Sequence, residues 1–220
     1  MPKRFAWILI LCMVLFVSTC SVFNPPPTPT PFRSTPTLSP AAFNVSGRTL
    51  GDPQAPVTLV VYSDFQCPYC KDFADGSEHR IIDDLVKTGR INFTYKYFPV
   101  VDKNSIGESH WAAYAAECAS EQNKFWDYHD KLYSEWRGEN KKAFTKEMLK
   151  VYAAEIKLDT VKFNPCVDSD KHASLVAEHE KEATQLGLPG TPFFLLNGRR
   201  IYPQSLEYAE FYRLISHEFK

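Results

Sequence analysis

The chain has 220 residues, enough for one ordinary domain or a small domain carrying an insertion. Its 25 Lys+Arg and 26 Asp+Glu leave a net charge of −1, and setting aside Lys3 and Arg4 at the N-terminus makes the remainder slightly more acidic. There is no basic block, and the aromatics fall at core spacings instead of alternating with Lys or Arg, so nucleic acid is excluded as a partner class.

Lys3-Arg4 precede an uncharged, mostly apolar run from Phe5 to Val17, followed by Ser18-Thr19-Cys20. That is the layout of a secretory signal, and it is short of the roughly 20 residues a helix needs to cross a bilayer. Val17-Ser18-Thr19-Cys20 resembles the lipobox of bacterial lipoproteins, in which the signal is cut before a Cys that then receives lipid. Thr19 departs from the usual Gly, Ala or Ser. Residues 1–20 are therefore predicted to be a signal peptide or lipoprotein leader, with Cys20 as the lipidation site; an uncleaved anchor or a secreted product is the alternative. Residues 21–43 are rich in Pro, Thr and Ser with Arg33 as the one charge, which predicts an extended tether. The expected location is the extracytoplasmic face of a membrane, reached through an N-terminal anchor.

Val57–Tyr62 is a short β-branched run after turn residues, which suits a buried strand leading to Cys67. From Pro68 the spacing of Phe73, Ile81, Ile82, Leu85 and Val86 predicts a helix, disturbed near Gly76 and ending at Gly89. Ile91, Phe93, Tyr95 and Tyr97 alternate with polar residues, a strand signal. Helical stripes follow at Trp111–Cys118, Phe125–Trp136, Met148–Ile156 and Leu175–Leu186, and their aromatics are read as core. Phe193–Leu196 and Arg199–Tyr202, joined by Asn197-Gly198, predict a hairpin with a type I′ turn. A last helix carries Leu206, Phe211, Leu214 and Ile215. The order describes an α/β sheet in a 44–220 domain, with a helical insertion at about 99–187.

Of six cysteines, Cys12 and Cys20 belong to the leader, leaving Cys67, Cys70, Cys118 and Cys166. An even set in an exported protein points to disulfide chemistry. A thiolate is the reactive form of cysteine, and a helix N-terminus offers it unpaired N–H groups and about half a positive charge. Cys67 is placed there, with Pro68 in the first turn, where its missing N–H costs nothing. Cys70 lies one turn along the same face. The expectation is an exposed attacking Cys67 with a pKa clearly below that of a free thiol, and a more buried resolving Cys70. The alternative for a Cys-x-x-Cys, half a zinc site, needs a second pair or two histidines at ligand spacing; Cys118 and Cys166 stand unaccompanied, and no metal is expected. If Cys67 and Cys70 form the redox pair, Cys118 and Cys166 are left as a candidate second bridge.

Asp64-Phe65-Gln66-Cys67-Pro68-Tyr69-Cys70 after a strand, then a helical block containing Glu117-Cys118 and Lys124-Phe125-Trp126, then Gly190-Thr191-Pro192 before a strand, resembles the DsbA-like thiol:disulfide oxidoreductases of the thioredoxin superfamily. The likeness runs from about residue 44 to 220. It implies a thioredoxin-like fold with a helical insertion domain, catalytic Cys67 and Cys70, and a cis Pro192 beside them. Thr191, Pro68 and Tyr69 would contact an extended substrate segment. It implies no cofactor beyond the Cys67–Cys70 disulfide. Cys118 and Cys166 correspond to a second disulfide present in some relatives, or are two free buried thiols. The implied activity is an oxidase that donates its disulfide to exported cysteine-containing client proteins and is reoxidised by a membrane quinone-linked thiol oxidase. A reductase or isomerase of the same fold, or a non-enzymatic binding or chaperone module, is the rival. Tyr69 departs from the His that strong oxidants often carry there, and Asp64 resembles an acidic residue common before the motif.

Overall fold

The computed structural model describes residues 44–103 and 105–219; the leader at 1–20 and the tether at 21–43, with Cys12 and Cys20, lie outside the described residues. Strands β1 (Val45–Ser46), β2 (Thr49–Leu50), β3 (Val57–Ser63), β4 (Ile91–Tyr97), β5 (Phe193–Leu196) and β6 (Arg199–Ile201) form one sheet. Their order is β1-β2-β4-β3-β5-β6. The parallel pair is β3 with β4, and the other neighbours are antiparallel.

Alternation along the strands divides the interior in two. Ile91, Phe93, Tyr95 and Tyr97 of β4 are buried in the larger core with Val57, Leu59 and Val61 of β3. The opposite face of β3 sends Tyr62 into a smaller core with Phe193, Leu195, Ala183 and Leu188. With a side-chain period of two, a central strand flanked by helices buries both faces.

The chain leaves β3 into a helical run made of α1 (Pro68–Phe73), a π-turn (Ala74–Glu78), α2 (His79–Ile81) and a second π-turn (Ile82–Val86). The disturbance expected near Gly76 is this first π-turn. Gly89, at φ 73°, stops the run, because a left-handed residue ends a helix most cheaply without a Cβ. Between β4 and β5 lie a 3₁₀ turn (Val100–Asp102), α3 (Glu108–Ser120), α4 (Phe125–Ser134), α5 (Lys146–Glu155), α6 (Thr160–Asp168) and α7 (Ala173–Gln185). Helix α8 (Tyr208–Ser216) closes the fold, packing Phe211 on Phe73 and Phe194. Leu206, expected on that helix, precedes it.

The hairpin turn has Asn197 at φ 50° and Gly198 at φ 74°, the two positive angles of a type I′ turn. Two elements had no periodic signal. The β1–β2 hairpin is too short to show alternation. Helix α6 carries Pro165 inside it, and its start is set by the Asp159 side chain, which accepts from Val161 N and Lys162 N.

Candidate active site

Strand β3 ends at Ser63, and four residues carry the chain to the tip of α1. Cys67 occupies the N-cap with extended backbone, and Pro68 follows at the first helical position. The Cys67 carbonyl accepts from Cys70 N and Lys71 N at 3.1 Å, closing the first turn. Cys67 and Cys70 are unbonded here. The Cys67 thiol donates to the Thr191 carbonyl at 3.3 Å, and the Thr191–Pro192 peptide is cis. The geometry thus brings Cys67, Cys70, Pro68, Tyr69, Thr191 and Pro192 together.

The expected exposure of Cys67 is not what the structure has. Cys67 is only 6% exposed and Cys70 1%, while Tyr69 stands out at 64%. Next to Thr191, whose carbonyl meets the Cys67 sulfur, lies a groove of about 330 Å³ lined by Tyr69, Pro189, Thr191, Pro192, Tyr202 and Leu206.

The Cys67 thiol is lowered from 9.0 to about 6. The main cause is the hydrogen bond from Cys70; burial opposes it, and the Thr191 side chain and the N–H groups of Cys70 and Tyr69 add to it. The helix tip therefore contributes, but the partner sulfur contributes more than the dipole expected from sequence. Burial pushes the Cys70 thiol well above its ordinary value, and donation to the Cys67 thiolate pushes it the same way. One sulfur is poised as a nucleophile and the other holds its proton, the division of labour that thiol exchange needs.

Around the pair lies a buried polar frame of which the sequence singled out Asp64 alone. Asp64 is 2% exposed, and burial raises its carboxyl from 3.8 to about 7. It accepts from Gln66 N at 2.8 Å and Val101 N at 2.9 Å, so it ties the active loop to the 3₁₀ turn. Gln66 is fully buried. Its Nε2 donates to Asp102 Oδ1 and Ser109 Oγ, its Oε1 accepts from Asn140 N, and its carbonyl accepts from Trp136 Nε1. A buried amide with each hydrogen-bonding group satisfied fixes the backbone next to Cys67. Asp102 in turn meets His110 Nδ1 at 2.7 Å. Burial disfavours the His110 cation, yet Asp102 and Glu180 raise its pKa to about 9. On the other side, Glu78 of the π-turn and His129 of α4 form a second buried pair at 3.4 Å. The one signal for these groups was a polar residue at a core-facing position.

Cys118 of α3 and Cys166 of α6 are joined by a disulfide. They are not unaccompanied, because His172 lies close enough to form a three-residue cluster with them. Both sulfurs are spent on each other, which leaves the cluster only the His172 ring, itself 2.8 Å from Glu121 Oε1, too few donors for a metal.

The model of the thioredoxin family matches residues 44–217. The Na(+)/H(+) antiporter NhaA 3 of Salinispora tropica is 33% identical over 71% of this chain, a stretch that is 22% of the antiporter. The chain thus spans about a fifth of the length of the first curated relatives it matches. Disulfide bond formation protein D of Bacillus subtilis is 28% identical over 78% of the chain and 76% of that protein. The crystal structure of oxidised BdbD from Bacillus subtilis is 25% identical, with a TM-score of 0.70 over 83% of this chain and 97% of that one.

Proposed function

The chain belongs to the thioredoxin family, and on that footing we propose that it is an extracytoplasmic thiol:disulfide oxidoreductase that donates the Cys67–Cys70 disulfide to exported proteins. The observation that carries the reading is a helix-tip cysteine lowered to about 6 beside a cis proline, with a resolving sulfur one turn behind it. A client thiolate attacks Cys67, and the client's second thiolate then takes the disulfide and releases the reduced pair. Thr191, Pro192 and Tyr69 border the groove where the client would lie, and Pro68 starts the helix that presents Cys67. No cofactor beyond the cysteine pair is needed.

The direction of exchange rests on how far the reduced form is favoured. A Cys67 pKa of about 6 in place of 9.0 favours it at pH 7 by at most about 1.4 kcal/mol, or about 30 mV, and by less once solvent screening is counted. That moves the couple toward an oxidant without making it an extreme one. The Bacillus relatives bear names for disulfide bond formation, and we extend that direction to this chain. Among the described residues no helix is long and apolar enough to cross a membrane. Attachment would come from the 1–20 leader, with lipid on Cys20 and the 21–43 tether as spacer, and a separate membrane quinone-linked thiol oxidase would restore the disulfide. The disulfide between Cys118 and Cys166 would be structural.

The deciding experiment is the potential of the Cys67–Cys70 couple in glutathione buffers, together with the oxidation of a reduced client. A potential closer to about −120 mV than to −270 mV is expected, and one near the lower figure makes the protein a reductase or isomerase. A Cys67→Ser protein that still promotes disulfide formation would instead favour a binding or chaperone module.

A further inference from the structure

Two kinds of surface adjoin the active loop. The groove beside Thr191 is bordered by Tyr69, Pro189, Pro192, Tyr202 and Leu206, and no charged residue lines it. The other neighbours are two loops of the helical insertion, held to the active loop through Asp64 and Gln66. Asp64 Oδ2 accepts from Val101 N at 2.9 Å, and Gln66 Nε2 donates to Asp102 Oδ1 at 3.0 Å, so the turn leading to Lys103 is fastened there. Gln66 Oε1 accepts from Asn140 N at 2.6 Å. Glu108 then joins the two loops, accepting from Lys142 N at 2.9 Å and Phe144 N at 2.8 Å.

These loops present cations. Lys103, Lys141 and Lys142 are exposed, and among the described residues none of the three makes a salt bridge or a side-chain hydrogen bond. Lys131, Lys146 and Lys150, elsewhere in the insertion, each meet a carboxylate at 2.8 Å or less. Glu139 is the one acid between residues 137 and 142. The buried carboxylates of the cluster are already engaged, Asp102 by His110 at 2.7 Å and Glu108 by two backbone N–H groups. Lys103 at φ 56° and Lys142 at φ 59° are left-handed, a conformation that strains a residue with a Cβ. Two cations are thus kept on strained backbone, away from carboxylates of their own chain, where a second molecule can meet them.

We propose that Lys103, Lys141 and Lys142 form a client-selecting rim that favours cysteines flanked by Asp or Glu. This rests on the thiol-exchange reading and adds the chemistry of the client. A client thiol must come within bonding distance of Cys67, so the residues beside it pass over the surfaces that adjoin the active loop. The groove offers them apolar contact and the lysines offer them charge, and charge across an interface sets partner choice and encounter rate more than raw affinity. An anionic membrane would also meet lysines, but the fastening of both loops to the residues just before Cys67 favours the client.

The test mixes the oxidised full chain with reduced peptides that share one cysteine pair and carry two Glu or two Lys on either side of it. Opening is followed by tryptophan fluorescence, and each peptide's rate with a neutral pyridyl disulfide corrects for its own thiol reactivity. At low salt the corrected second-order rate constant for the better Glu peptide should exceed that of its Lys counterpart by about fivefold, and the two should converge in about 0.5 M salt. Lys103→Gln with Lys141→Gln and Lys142→Gln should bring the preference below about twofold, while alkylation of Cys67 by iodoacetamide stays within about twofold of the parent. A parent preference below about twofold overturns the proposal, as does one that survives the triple substitution. Loss of binding to phosphatidylglycerol vesicles in the triple variant, with the peptide preference kept, also overturns it and assigns the rim to a membrane. Lys141→Gln alone, at a residue outside the left-handed region, should lose part of the preference and reads the same effect if the triple variant fails to fold. Peptides that do not open the parent disulfide at all overturn the thiol-exchange reading itself, a result distinguishable from the others.

Discussion

Cys67 and Cys70 sit one helical turn apart and are unbonded, whereas Cys118 and Cys166 are bonded across a sequence separation of 48. Burial does not separate the two pairs: Cys67 and Cys166 are each 6% exposed, and Cys70 and Cys118 each 1%. What differs is the company of the sulfurs. Cys67 has a thiol and two backbone N–H groups to stabilise it as an anion, and a groove beside it. Cys118 and Cys166 project from two helices of the insertion and meet each other. A buried cysteine is thus made reactive by donors arranged for its thiolate, and exposure by itself is a poor guide.

The comparison can be broken most severely at Cys67. Cys67→Ser should abolish client oxidation, a loss of at least about a thousandfold, with the fold intact by circular dichroism. Next in size, Cys118→Ala with Cys166→Ala should lower unfolding free energy by about 2–4 kcal/mol in urea while leaving exchange at Cys67 within about threefold. If the activity falls with the stability, the two pairs are not independent.

Smaller effects sharpen the electrostatics. Cys70→Ala removes the largest stabiliser of the Cys67 thiolate, so thiolate absorbance should titrate at least about one pH unit above the parent value of about 6. In the parent, alkylation of Cys67 should rise as pH increases through about 6 and level off above it, since the thiolate is the reacting form. The smallest effect concerns Asp64. Its folded pKa of about 7 lies above the unfolded 3.8, so between these values the native state binds the extra proton and stability falls as pH rises. Asp64→Asn should flatten that slope in urea titrations from pH 4 to 8, and an unchanged slope would assign it elsewhere.

The sheet and most helices were legible because their signals are local. The alternation in Ile91–Tyr97 and the stripe in Phe125–Trp136 each state a period that one element satisfies by itself, and Gly89 and Asn197-Gly198 mark ends that need positive φ. Helix α6 hid behind Pro165 and a side-chain cap, and β1–β2 behind its brevity.

The residues of the site divide in the same way. Cys67, Pro68 and Cys70 are neighbours in the chain, so a strand followed by a helix start sufficed to place them, and Gly190-Thr191-Pro192 carried its own family signature. Ser63, Tyr95 and Tyr133 come from two strands and a helix, and Gln66 joins partners 36 to 74 residues away. In the sequence Tyr95 is one more core aromatic and Gln66 one more polar residue. Only the packing of β3 and β4 against α4 brings the hydroxyls of Ser63, Tyr133 and Tyr95 within reach of one another, because a hydrogen bond depends on where a group points within a few tenths of an ångström, and periodicity carries no such information.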